Sequence, residues 1–123
     1  MSHPLVVVID DDEWMGAHVA RVLKKHGYEV EAVPHAIEGM QLIDRAHPAA
    51  IILDLFMPGP NAFVLLHELR SHSDLSQIPI ILCTNSAREL GDYDLGSYGV
   101  HIVLDKTTMQ PDDLVAAVRR VTS

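Results

Sequence analysis

Ala50-Ile51-Ile52-Leu53-Asp54-Leu55-Phe56-Met57-Pro58-Gly59 is the stretch whose reading decides the fold. Four apolar residues run into one carboxylate, and Met57-Pro58-Gly59 then turns the chain, so a buried strand surfaces into a loop at Asp54. An isolated Asp in such a position is ordinarily a turn cap. Asp54 is singled out by the polar residues that stand at other strand ends.

Upstream, Leu5 to Ile9 is a continuous run suited to a strand buried on both faces, and it ends in Asp10-Asp11-Asp12-Glu13. The acidic run doubles as a helix start. Met15, Val19, Val22, Leu23 and His26 follow at helical spacing before Gly27 stops the helix. Tyr28 to Val33 reads as a second, more exposed strand, and Ile37, Met40 and Ile43 as the inner stripe of a helix ending near His47-Pro48. Downstream, Asn61 can cap a third helix with Ala62, Leu65, Leu66 and Leu69 inward, and Ser71 to Gln77 is a polar loop. Ile78 to Cys83 is a buried strand ending at Thr84. From Ala87 to Tyr98, Gly91 and Gly96 make any helix short or weak. Val100 to Leu104 is the last strand and meets Asp105-Lys106. Pro111 opens a final helix with Leu114, Ala117, Val118 and Val121 inward.

Five mostly apolar strands alternating with five helices, the fourth weak, predict an α/β domain: a doubly wound parallel sheet covered on both faces. Right-handed crossovers favour the flavodoxin-like order 2-1-3-4-5. The 123 residues suit one domain, 1–123, with a core that needs no staples. The formal charge is −8, and no run of Lys or Arg exceeds the pairs Lys24-Lys25 and Arg119-Arg120. Direct nucleic-acid binding is therefore not expected. The single cysteine, Cys83, sits in an apolar run and reads as a core thiol in a reducing compartment. No apolar run reaches the length of a membrane span or has a signal-peptide pattern, so a cytoplasmic domain is expected.

In such a sheet the carboxyl edge gathers Asp10, Asp11, Asp54, Thr84 and Lys106, which are far apart in sequence. Two carboxylates at ~4 Å repel by about 4 kcal/mol at an effective dielectric of ~20. A hard divalent cation would relieve that repulsion, and oxygen-only ligation points to Mg²⁺ or Mn²⁺ rather than Zn²⁺. The eight histidines show no close pair at metal-ligand spacing on one helix face and read as scattered surface or packing residues. Lys106 and the Thr84 hydroxyl supply positive charge and a donor for phosphoryl oxygens. The set fits transfer of phosphate onto Asp54. No general base for a separate substrate is apparent, so a turnover enzyme is not expected.

Val6-Val7-Val8-Ile9-Asp10-Asp11-Asp12, Leu53-Asp54-Leu55-Phe56-Met57-Pro58-Gly59, Ile78-Pro79-Ile80-Ile81-Leu82-Cys83-Thr84 and the late Lys106 together resemble a two-component response-regulator receiver domain over essentially the whole chain. The resemblance implies Asp54 as phosphoacceptor and Mg²⁺ held by Asp10, Asp11, Asp54 and the Phe56 backbone carbonyl. It implies Thr84 and Lys106 on the phosphoryl oxygens, and a histidine kinase or histidine phosphotransfer protein as donor. The signal would leave through a changed protein-interaction surface.

The sequence departs from that pattern in places. Val103 stands where the family usually has a Tyr or Phe, and a valine cannot make the ring rotation of the usual switch. Lys106 is followed by Thr107 rather than proline. Ala62 stands where Gly is common, and Asn85 replaces a small residue. These departures suggest an output surface that orders or disorders the segment 87–107 instead of turning an aromatic ring. Trp14, beside the acidic loop, is expected to be exposed and to dock the phosphodonor. The rival reading is a haloacid-dehalogenase-type phosphatase with Asp10 as nucleophile and Asp12 as acid, which leaves the Asp54 stretch unexplained. A flavin-binding domain is a weaker rival, because flavin phosphate prefers Ser/Thr/Gly-rich loops. The chain reads either as a stand-alone receiver or as a piece of a longer protein.

Overall fold

A computed structural model describes residues 3–54, 62–85 and 96–123. Five parallel strands form one sheet in the flavodoxin-like order β2-β1-β3-β4-β5: β1 (Leu5–Ile9), β2 (Glu29–Val33), β3 (Ala50–Leu53), β4 (Ile80–Thr84) and β5 (Val100–Asp105). Four α-helices lie among the described residues: α1 (Glu13–Lys24), α2 (Ala36–Ala46), α3 (Ala62–Ser71) and α4 (Pro111–Thr122).

The three central strands are apolar on both faces, and each face is covered. Because side chains alternate along a strand, Val7, Ile9, Ile51 and Leu53 point toward α2 and α3, where Ile43, Leu66 and Leu69 are fully or almost fully buried. Val6, Val8, Ala50 and Ile52 point the other way, toward Val19 and Leu23 of α1 and Leu114 and Val118 of α4. Each such Leu, Ile or Val contributes roughly 1.5–3 kcal/mol by leaving water. The edge strand β2 is mostly exposed, with Val30 and Val33 turned to the apolar layers, as its mixed sequence predicts.

Several helical expectations need correction. Ile37 is 58% exposed, and the inner stripe of α2 is Ala36, Gly39, Leu42 and Ile43. Gly39 causes this: its missing side chain leaves room for Ile9 of β1, so the helix lies close to the sheet with Gly39 inward and Ile37 turned out. His26 is exposed, because α1 ends at Lys24 and His26 lies in the turn that leads into Gly27 at φ 90°. The stretch expected to be a polar loop begins with the last residue of α3 and contains Leu75, which is 1% exposed and anchors a 3-10 turn, Leu75–Gln77. The Asn61 cap lies outside the described residues. So does most of the weak fourth helix, of which residues 96–98 form a single 3-10 turn.

Candidate functional site

Strand register carries the polar residues to one edge. Ile9 pairs with Leu53, Leu53 with Leu82, and Thr84 with Asp105. The residues just past β1 and β3 therefore emerge side by side, with the ends of β4 and β5 next to them. The Asp10 amide donates to the Val33 carbonyl (3.2 Å), the Asp54 amide to Ile9 (2.9 Å) and the Lys106 amide to Thr84 (3.0 Å). These bonds extend the sheet ladder into the site and fix where each side chain starts.

The acidic run divides its work. Asp10 is buried and its Oδ1 accepts from the Asp12 amide at 2.9 Å, an Asx turn that bends the chain away from β1. Asp12 caps α1, its Oδ1 accepting from the amides of Trp14 (3.0 Å) and Met15 (3.3 Å). Asp11 stays exposed and presents an oxygen to the site. One carboxylate oxygen each from Asp10, Asp11 and Asp54 lie within 4.8 Å of one another. Asp54 itself is buried at the end of β3.

Lys106 reaches into this group. Its Nζ lies 2.6 Å from Asp10 Oδ2 and 3.4 Å from Asp54 Oδ2, with only 7% of its side chain exposed. Burial works against the ammonium, but the hydrogen bond it donates to Asp10 and the charges of Asp10 and Asp54 outweigh it, so the Lys106 pKa is raised above the ordinary lysine value. The turn behind Lys106 is held by Asp105, whose Oδ1 accepts from the Thr107 amide (2.8 Å) and hydroxyl (2.6 Å). Among the described residues every peptide bond is trans, including Lys106–Thr107.

Thr84 ends β4 on the same edge and is 1% exposed. Cys83 beside it is buried, its Sγ 3.4 Å from the Met109 Sδ, and burial pushes the thiol pKa up to about 11. That is the core thiol expected, unsuited to nucleophilic work near neutral pH. The structure thus brings Asp10, Asp11, Asp54, Thr84 and Lys106 to one edge, while Phe56 lies outside the described residues. Trp14 is 87% exposed at the rim, and Val103 on the edge strand is 37% exposed. Sequence reasoning did not anticipate that Lys106 holds Asp10 more closely than Asp54. A lysine's position in the chain says nothing about which of two adjacent carboxylates its long side chain will choose.

The profile described as "Response regulator receiver domain" matches residues 6–119. Protein PilH of Pseudomonas aeruginosa is 27% identical over 84 residues, covering 68% of this chain and 69% of PilH. Response regulator MprA of Mycobacterium sp. (strain KMS) is 33% identical over 79 residues, 64% of this chain, and the match covers 34% of MprA. Among solved structures, the chemotaxis response regulator CheY4 of Vibrio cholerae superposes with a TM-score of 0.88 at 25% identity, covering 98% of this chain and 99% of that one. A sensor protein from Polaromonas sp. JS666 superposes with a TM-score of 0.91 at 22% identity over 98% of this chain and 97% of that one, a likeness of fold. The profile match sets aside the phosphatase and flavin readings. Asp12, the acid of the phosphatase reading, is occupied in capping α1.

Proposed function

Since the chain belongs to the response regulator receiver domain family and is a module of two-component signalling, we propose that it accepts a phosphoryl group on Asp54. The observation that carries this reading is the convergence of a buried carboxylate, two further carboxylates and a buried ammonium at one sheet edge. In the proposed step an Asp54 oxygen attacks phosphorus on a phosphohistidine of a histidine kinase or phosphotransfer protein. The P–O bond forms as the P–N bond breaks and the imidazole leaves.

Asp10, Asp11 and Asp54 would hold Mg²⁺ or Mn²⁺, since their oxygens fit an all-oxygen donor set, and by family resemblance the Phe56 carbonyl would join them. The bound cation would offset charge on the phosphoryl oxygens. Lys106, 3.4 Å from Asp54, would give its ammonium to the transferred group, and the Thr84 hydroxyl would donate to another oxygen. The protein would promote its own phosphorylation without turning over a separate substrate. Exposed Trp14 on the first turn of α1 would contact the donor. We read residues 1–123 as one domain, because both apolar layers share a single sheet, and the cytoplasm as its setting. Among the described residues no helix is long and apolar enough to cross a membrane.

Incubation with phosphoramidate and Mg²⁺, followed by intact-mass measurement, tests the proposal. One labile phosphoryl group is expected, lost in Asp54→Ala and lost when the metal is chelated. If the group persists in Asp54→Ala but vanishes in Asp10→Ala, the acceptor has been misassigned. With the cognate donor, Trp14→Ala should slow transfer while leaving phosphoramidate labelling unchanged; an equal rate in both would remove Trp14 from the docking face.

A further inference from the structure

The fold assembles a basic surface that the linear sequence does not display. Arg21 and Lys24 lie in the last turn of α1 with Lys25 as its cap, and Arg119 and Arg120 lie in the last turn of α4. These are five of the nine Lys and Arg residues of a chain whose formal charge is −8. The two helices pack on the same face of the sheet. Their ends meet where the Tyr28 hydroxyl and Thr122 Oγ1 are 3.3 Å apart. His26, Tyr28, Arg119 and Thr122 line one depression with Pro4, which immediately precedes β1, so this surface lies at the amino edge of the sheet, opposite Asp54.

Two helix C-termini carry roughly −0.5 of a charge each, which accounts for a cation or so beside them and not for five. Among the described residues none of the five is in an ion pair, although the chain has seventeen acidic residues. All five side chains are exposed. Ala17 and Ala20 lie beside Arg21, Lys24 and Lys25 on α1, leaving a low shelf on which another chain's backbone can approach the charges. The remainder of the molecule is more acidic than its net charge indicates, so a long polyanion such as a nucleic acid would be repelled wherever it overran the patch. Glu29 and Glu31 border the patch on its Lys24 side, so a short acidic stretch of protein is best placed along Lys25, Arg119 and Arg120, clear of them.

We propose that the joined C-terminal ends of α1 and α4 form a docking surface for an acidic segment of a partner protein, remote from the phosphoacceptor pocket. The surface is complete without phosphorylation, so the proposal stands or falls independently of the Asp54 reading.

The probe is a fluorescein-labelled peptide of about twelve residues alternating Glu and Ala, long enough at ~1.5 Å per residue in a helix to cross the patch. Its anisotropy is followed on the full chain at about 20 mM and about 150 mM salt. Binding is expected at low salt and should weaken about tenfold in both Lys24→Glu/Lys25→Glu and Arg119→Glu/Arg120→Glu. The control Arg45→Glu/Arg70→Glu, with cations outside the patch, should bind as the native chain does. Neutral Gln versions of both pairs, checked for native circular dichroism, should lie between native and charge-reversed, which separates lost attraction from misfolding. The proposal is overturned by no binding at low salt or by equal loss in the control. It is also overturned if an oligothymidine of equal length binds more tightly, or if sedimentation shows the same residues mediating self-association.

Discussion

Lys106 supplies the ammonium on which the acidic site depends. Its ammonium lies between Asp10 and Asp54, and removing it takes from these two buried carboxylates the cation they share. Breaking such a buried ion pair by removing one partner is strongly destabilising. Lys106→Met is therefore expected to lower unfolding stability by about 2–3 kcal/mol in chemical denaturation without divalent metal, and added Mg²⁺ should recover part of the loss. A variant as stable as the native chain, or one indifferent to Mg²⁺, would contradict this electrostatic account. At this scale much was legible from sequence. Asp10, Asp11, Asp54, Thr84 and Lys106 each stand at the end of an apolar run or just beyond it, and that local signal survives without any knowledge of packing. The pairing of Lys106 with Asp10 was not legible, because it depends on the course of four flexible methylenes through a crowded edge.

The helices show where periodicity stops being sufficient. In α3 the inner stripe read from sequence is the one observed, whereas in α4 Leu114, Ala117 and Val118 are buried as read, Val115 is buried beside them and Val121 is only partly buried. In α2, Ile37 is large and apolar yet exposed, while Gly39 faces the sheet. A glycine carries no hydrophobic signal, so a pattern argument rotates the helix toward Ile37. The structural reason is the tight approach to Ile9. A Cβ at position 39 would overlap Ile9 Cδ1 and lie 2.7 Å from Cγ1, and Ile9 is fully buried. Gly39→Ala would gain about 1 kcal/mol in helix propensity, but overpacking costs typically 1–3 kcal/mol. A net loss of about 1 kcal/mol in urea unfolding is expected, with Ile37→Ser nearly neutral by comparison. A stabilised Gly39→Ala would mean that α2 does not lie as close to β1 as described.

Across the whole molecule, an acidic pocket occupies the carboxyl edge of the sheet and exposed cations gather at the other. The order of the five strands was legible, since alternating apolar runs and helices leave few right-handed windings. The basic surface was not, because Lys24-Lys25 and Arg119-Arg120 are nearly the length of the chain apart and come to the same edge only once α1 and α4 pack. The buried groups also set a pH response. With the Cys83 pKa at about 11 in the folded chain against about 9 for an unfolded thiol, the folded state holds that proton more tightly. The associated stability is intact below pH ~9 and falls between about 9 and 11, by at most ~1.4 kcal/mol per pH unit. Lys106, also raised, loses its contribution in the same direction, above the ordinary lysine range. Urea unfolding should show falling stability above pH ~9, and less steeply in Cys83→Ala; identical slopes would remove Cys83 from the explanation.

The central claim is that the pocket exists to put a phosphoryl group on one particular carboxylate. The most direct measurement reduces the freshly phosphorylated protein with borohydride, which converts an aspartyl phosphate to homoserine, and then locates that residue by peptide mass spectrometry. Homoserine is expected at position 54 and nowhere else, and only in samples phosphorylated with Mg²⁺ present. Homoserine at position 10, 11 or 12, or labelling that does not depend on the metal, would contradict the account.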